Sequence, residues 1–321
     1  MTSEKIVPRL IRHPDGITAV DAQYVRPGMA AAHLICHGGR AAFVDVGTNH
    51  SAAHLLAALE ELGIARSAVE YLFLTHVHLD HAGGAGELLR QLPQARAVLH
   101  PRGAPHMIDP AKLIAASIAV YGEAVYRQLY GDLVPIPPER LITVADGTRL
   151  SLGGRPLELI HTPGHALHHY CIIDTDHANL FTGDTFGLSY RELDTAAGAF
   201  VMPTTTPTQF DPEQLIASID RLMGYAPRAA YLMHYSRITG LARAAQSLKS
   251  QIHELVAIAR RNAAAPDRAT RIHRETCALW VRLARAHGVA HSQAELEAVL
   301  EQDAELNTQG LVAWLERTGG R

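Results

Sequence analysis

The stretch Leu74–Gly84, LTHVHLDHAGG, carries three histidines and an aspartate within six positions, with an apolar run before it and a glycine pair after it. The preceding residues, YLFLTHV, read as a buried strand. The following GELLRQL reads as a short helix stopped by Pro93. His76, His78, Asp80 and His81 therefore fall on a strand-to-helix loop, where α/β proteins commonly carry chemistry. Alternation along an extended chain puts His76 and His78 on the same side, so both imidazoles can reach one metal ion. The chain then turns, and Asp80 and His81 can face a second ion beside the first. Two cations in one cleft ask for about seven protein ligands, and this loop supplies four.

The remaining ligands are sought at other strand ends. His165 follows LELIHTPG, Asp184 closes LFTGD and His234 closes AAYLMH; each comes after a buried apolar run. Five histidines and two aspartates make a mixed nitrogen and oxygen set suited to zinc, iron or manganese, without the thiolates of a structural zinc site. A carboxylate such as Asp184 can bridge two cations, which imidazole does poorly. Two divalent ions are expected, zinc first, with iron or manganese as alternatives.

Working outward, ITAVDAQYV, AAHLICHG and AAFVDVG read as short strands between Gly and Pro punctuation. Helices are predicted over Ser51–Leu62 and Ala111–Tyr130. In the second of these Ile114, Ile118, Tyr121, Val125 and Leu129 form a stripe that packs on the core. Tyr126 and Tyr130 share a neighbouring face that could wall a pocket. Strands return between LITVADG and ANLFTGDTF, and a helix over Pro212–Met223 precedes the strand AAYLMHY. After Gly240, Leu241, Ala245, Leu248, Ile252, Leu255 and Ala259 step by four and three, an amphipathic helix. Pro266 ends it, and a later helix opens with the capping box Ser292-x-x-Glu295. The expected layout is an α/β or α+β unit over 1–240 with a helical extension over 241–321.

Composition narrows the function classes. The 321 residues are 47% hydrophobic and 19% charged with net charge −3, so neither a nucleic-acid footprint nor a membrane surface is indicated. Cys36, Cys171 and Cys277 are odd in number and far apart, against a disulfide framework. No long apolar run opens the sequence, and cytoplasmic residence is the expectation. The expected partner is a small-molecule substrate; the C-terminal helices are read as packing back onto the α/β unit, with an interface to a second copy of the chain or part of the pocket wall as the functional alternatives.

Taken together, THVHLDH, HTPGH, FTGD and LMHY resemble the metallo-β-lactamase superfamily, in its hydrolase branch with the H-x-H-x-D-H motif. The resemblance covers about residues 15 to 240. It implies an αββα sandwich with the metals at one edge between two sheets. It implies His76, His78 and His165 on one metal, Asp80, His81 and His234 on the other, and Asp184 between them. FVDVG resembles the family's first motif, which makes Asp45 a supporting residue behind the metal loops. HPRGAPHMIDPAKL and the helix after it are similar to one prokaryotic subgroup known mostly as metallo-hydrolases.

The chemistry expected is attack by a metal-bridging hydroxide on an ester, thioester, lactone or lactam, with Asp80 as the catalytic group that orients it and carries the proton. His168 and Tyr190 are candidate pocket residues beside Tyr126, Tyr190 as a polariser of the substrate carbonyl. For each of them ordinary packing is the plainer reading, and His33, His37, His100 and His106 are read as structural. Four rivals are weighed. A flavodiiron oxidoreductase would carry Glu at the position of His78 and a flavin domain. A single-iron sulfur dioxygenase would leave Asp80, His81 and His234 spare. A small-molecule phosphodiesterase would use the same metals. A non-catalytic metal-bound ligand sensor would bind acyl compounds without consuming them.

Overall fold

The computed structural model describes residues 6–206 and 208–319. Among the described residues thirteen strands form two sheets. The first runs in chain order through β1 (Leu10–Arg12), β2 (Ile17–Asp21), β3 (Ala31–His37), β4 (Arg40–Val44), β5 (Val69–Phe73), β6 (Arg96–Leu99) and β7 (Leu141–Thr143). Its first four strands are antiparallel and β4 to β7 are parallel. The second sheet has the order β13-β12-β11-β10-β9-β8, from β8 (Thr148–Leu152), β9 (Arg155–His161), β10 (Tyr170–Asp174), β11 (Asn179–Gly183), β12 (Ala229–Leu232) and β13 (Ser236–Ile238). Only its β11–β12 pair is parallel.

The central strands of the second sheet are apolar on both faces because both faces are covered. Along β10, Tyr170 and Ile172 point into the core shared with the first sheet. Cys171 and Ile173 point into a second core on the other side. The same alternation divides Ala229 and Tyr231 from Ala230 and Leu232 on β12. Helices α1 (Ala52–Glu61), α2 (Leu79–Ala82), α3 (Ala85–Gln91), α4 (Ala104–Ile108), α5 (Ala111–Tyr121) and α6 (Glu123–Tyr130) come from the first half of the chain. α7 (Pro212–Met223), α8 (Leu241–Asn262), α9 (Arg268–His287) and α10 (Gln293–Thr318) follow the second. The result is a sandwich of two mixed sheets between helices, with a helical C-terminal extension, as the sequence led us to expect.

One expectation changes. The helix predicted over Ala111–Tyr130 is two helices, because Gly122 adopts φ 78° and ends α5. The break shifts the helical phase: Val125, placed on the packing stripe, is 44% exposed, and Tyr126 turns into the core instead of a cavity wall. The extension packs back onto the sandwich, the plain reading of its helices. One hydrophobic core runs from the second sheet through α7, α8, α9 and α10, joining Ile173 and Leu232 to Leu248, Trp280 and Leu311. None of the described helices is long and apolar enough to cross a membrane.

Candidate metal centre

The site is built where strands run out. β5 ends at Phe73 and delivers Thr75, His76 and His78. β9 leads to His165, β11 ends one residue before Asp184, and β12 ends two residues before His234. Gly183 makes the Asp184 turn at φ 46°; a Cβ there would lie 2.5 Å from the Thr75 hydroxyl and 2.7 Å from His169 Nε2. Only glycine lets the β11 end approach the β5 end this closely.

Two ligand groups result. His76, His78, His165 and Asp184 form one, and Asp80, His81 and His234 the other. His78 Nδ1 lies 2.8 Å from His76 Nε2 and 3.0 Å from His165 Nε2. Asp184 spans the groups: Oδ2 is 3.4 Å from His165 Nε2, while Oδ1 is 3.2 Å from His81 Nε2 and 3.8 Å from His234 Nε2. Asp80 Oδ2 closes the second group at 3.3 Å from His234 Nε2 and 3.6 Å from His81 Nε2. Ligand atoms about 2.0–2.2 Å from a tetrahedral ion stand roughly 3.3 Å apart, so these spacings fit cations.

Bonds behind the ligands orient them. Asp45 accepts from the Thr75 N–H at 2.8 Å, from the Thr75 hydroxyl, and from His81 Nδ1–H at 2.9 Å. The Thr75 hydroxyl, having donated to Asp45, can accept from His76 Nδ1–H at 3.1 Å. The Thr204 hydroxyl accepts from His165 Nδ1–H at 2.9 Å, and His234 Nδ1–H donates to the Met29 carbonyl at 2.9 Å. In all four histidines the far nitrogen holds the proton, so Nε2 offers its lone pair to the centre.

The electrostatics point the same way. Burial first, then the neighbouring histidines, hold His76 well below its usual value, and His78 is lowered to about 3 by burial and His165. Both are neutral ligands at physiological pH. Burial would raise Asp80, but His81 and His234 outweigh it and bring it to about 2. Burial opposes charge on His81 too, yet Asp184, Asp80 and Asp45 hold it well above its usual value: three carboxylates converge on one enclosed point. His81 Nε2 and Asp184 Oδ1 are both buried without a hydrogen-bond partner despite their 3.2 Å separation. Two enclosed acceptors left facing each other in a carboxylate-rich pocket are the signature of a cation site.

Above the centre lies a cavity of ≈ 340 Å³. His168 and Tyr190 line it, and Tyr126 does not; Tyr121 and Tyr130 do, the latter with its hydroxyl 3.0 Å from that of Tyr24. Tyr190 donates its one hydroxyl proton to Asp303 Oδ2 at 2.9 Å, so it is not free to polarise a carbonyl. His106, read as structural, also faces the cavity. His169 accepts from the Asp184 N–H at 3.2 Å and thereby holds the backbone that carries this carboxylate. Thr204, Tyr24 and Asp303 were not singled out in the sequence. No short-range pattern marks them, since each reaches the site from a distant element.

A family model described as the metallo-beta-lactamase superfamily matches residues 25–250. The chain belongs to the metallo-beta-lactamase superfamily. Among similar proteins, the metallo-beta-lactamase fold-containing protein ST1585 of Sulfurisphaera tokodaii is 29% identical over 212 residues, 65% of this chain and 73% of that one. A hydroxyacylglutathione hydrolase of Klebsiella pneumoniae is 33% identical over 149 residues, 46% of this chain and 43% of that enzyme, so this superfamily member spans less than half of it. The solved structure of ST1585 aligns with a TM-score of 0.65 at 21% identity, covering 93% of this chain and 99% of that one. That of a metallo-beta-lactamase family protein from Thermus thermophilus gives 0.63 at 22% identity over 97% and 92%. At these identities the structural likeness speaks for the fold.

Membership and the two ligand groups together mean that this superfamily member binds divalent metal. Asp45 tests how the centre is supported. Asp45→Asn should keep the loop's shape but remove the charge that fixes His81, weakening metal binding by about 10–100-fold. Competition with a chromophoric chelator will read this, the Asp80–His81–His234 group being the more affected. Unchanged affinity in a folded variant would contradict the support role.

Proposed function

We propose that this protein is a dinuclear metal-dependent hydrolase of acyl bonds, with esters, thioesters or lactones as substrates. One observation carries the reading: the two oxygens of Asp184 face different ligand groups, each already furnished with histidines. The similarity to hydroxyacylglutathione hydrolases adds support for a thioester or related acyl substrate.

When bound, a pair of divalent cations supplies a nucleophilic water of lowered pKa and an electrophilic seat for the developing oxyanion. The chain's own part can be followed residue by residue. Asp80 lines the cavity as an ionised carboxylate, so its Oδ atoms can accept a proton from the attacking water and return it to the departing alkoxide or thiolate. Asp184 keeps the two ligand groups in register, and Thr204 and Asp45 hold His165 and His81 in the tautomers that present Nε2. Val77, Leu79, Met29 and Leu188 supply apolar cavity wall, which excludes bulk water and strengthens the charge interactions inside.

The test is metal content of protein purified without chelator or added metal, followed by a panel of simple esters, thioesters and lactones. Near two equivalents of metal with turnover of at least one acyl class is the expected result. One equivalent of iron together with oxygen uptake would overturn the hydrolase reading in favour of a sulfur dioxygenase.

A further inference from the structure

Two features of the cavity go unused in acyl hydrolysis as such. The first is its roof. Helix α5, AKLIAASIAVY, is apolar along most of its length, yet none of its residues is buried. Leu113, Ala116 and Val120 border the ≈ 340 Å³ cavity, while Ile114, Ile118 and Tyr121 pack on the core. An apolar helix ordinarily covers its stripe with protein. Here the stripe is covered by the core, and the apolar side chains beside it face a cavity that suits an apolar body.

The second is Asp303, brought in by α10. It is 6% exposed and lines the same cavity. Oδ2 is occupied by the Tyr190 hydroxyl at 2.9 Å. Among the described residues nothing donates to Oδ1, and the residue faces the cavity. Arg26 does not neutralise the carboxylate directly: it lies over the Tyr190 ring, 5.1 Å from the centroid, and its guanidinium binds Glu192. A largely buried carboxylate with one oxygen free of protein donors and facing a cavity can accept from a bound ligand.

We propose that Asp303 is the specificity residue of this cavity, its Oδ1 accepting a hydrogen bond from a hydroxyl or amide N–H of an otherwise apolar substrate seated beneath α5. The proposal rests on the acyl-hydrolase reading for its substrate class. It also assigns the C-terminal extension a direct task, since the recognition group comes from α10 while the metal ligands come from the sandwich. A substrate offering a carboxylate at that point would be repelled.

The experiment uses the metal-loaded full chain and three alkyl thioesters of equal length: one plain, one with a hydroxyl on the acyl chain, one with a hydroxyl on the thiol. The matching ketones, with methylene in place of sulfur, report binding by calorimetry without turnover. Wild type should favour at least one hydroxylated member by about tenfold or more in kcat/KM, and its ketone likewise in Kd. Asp303→Leu should bring both ratios to about one. Asp303→Asn, which keeps the shape and can still accept from Tyr190, should give an intermediate ratio and serves if the leucine variant does not fold. Equal ratios in wild type and either folded variant would overturn the proposal. If wild type cleaves none of the thioesters, the hydrolase reading fails by itself, and the ketone affinities still decide the role of Asp303.

Discussion

Asp184→Ala should lower turnover of any acyl substrate by at least about 10³-fold, equivalent to about 4 kcal/mol of transition-state stabilisation. Bound metal should fall from about two equivalents to one or fewer. The reason is that this side chain belongs to both ligand groups, with Oδ2 near His165 and Oδ1 near His81 and His234. Its loss removes a ligand from each side and leaves His81 without one of the carboxylates that surround it. Asp184→Asn is the sharper companion: its amide keeps one oxygen and most of the shape, so it should hold more metal than the alanine variant while remaining strongly impaired. Elemental analysis and steady-state rates on the same preparations check both. Full activity with unchanged metal content would sink the dinuclear scheme.

The second large effect is expected far from the metals in sequence. Gly310→Ala should destabilise the protein by about 3 kcal/mol or more. A Cβ at position 310 would stand 1.4 Å from the Thr205 carbonyl oxygen and 2.5 Å from its carbon, a clash with backbone that no rotamer relieves. Alanine is intrinsically favoured over glycine in a helix by about 1 kcal/mol, so a loss here runs against propensity and isolates the packing. The same displacement would pull on Asn307, whose side chain takes the Thr205 N–H at 2.7 Å and whose carbonyl takes the Thr205 hydroxyl at 3.0 Å. The neighbouring Thr204 orients His165, so metal affinity should weaken together with stability. Urea unfolding with and without excess metal reads both effects. A variant that melts with wild type would mean that α10 does not seat on this loop as described.

The link from α10 through Thr205 and Thr204 to His165 also explains why the extension shares a core with the sandwich. It braces one metal loop and contributes Gln302, Asp303 and Leu306 to the cavity. Its part in the pocket wall, one of the alternatives open from the sequence, is therefore observed.

Much of the centre was legible because its signals are short-range. His76, His78, Asp80 and His81 fall within six residues, and strand alternation with a turn already groups them on one side. His165, Asp184 and His234 each sit just past an apolar strand, and parallel placement of such strand ends at one sheet edge follows from the fold class. The helix over Pro212–Met223 and the capping box at Ser292 were likewise local, set by Asp211 and Ser292 accepting from the first turns of α7 and α10. What the residue pattern could not decide were positions whose meaning depends on a distant partner. Tyr126 and Tyr130 are alike in sequence and share α6, and only the way that helix packs, with the Tyr24 hydroxyl against Tyr130, decides which one meets the cavity. Asp303 reads as one more polar residue of an amphipathic helix until α10 is laid against Tyr190, 113 positions away. Local periodicity and ligand spacing are written into a few consecutive residues, whereas a cavity is enclosed only when elements a hundred residues apart pack together, and that closure belongs to the tertiary structure.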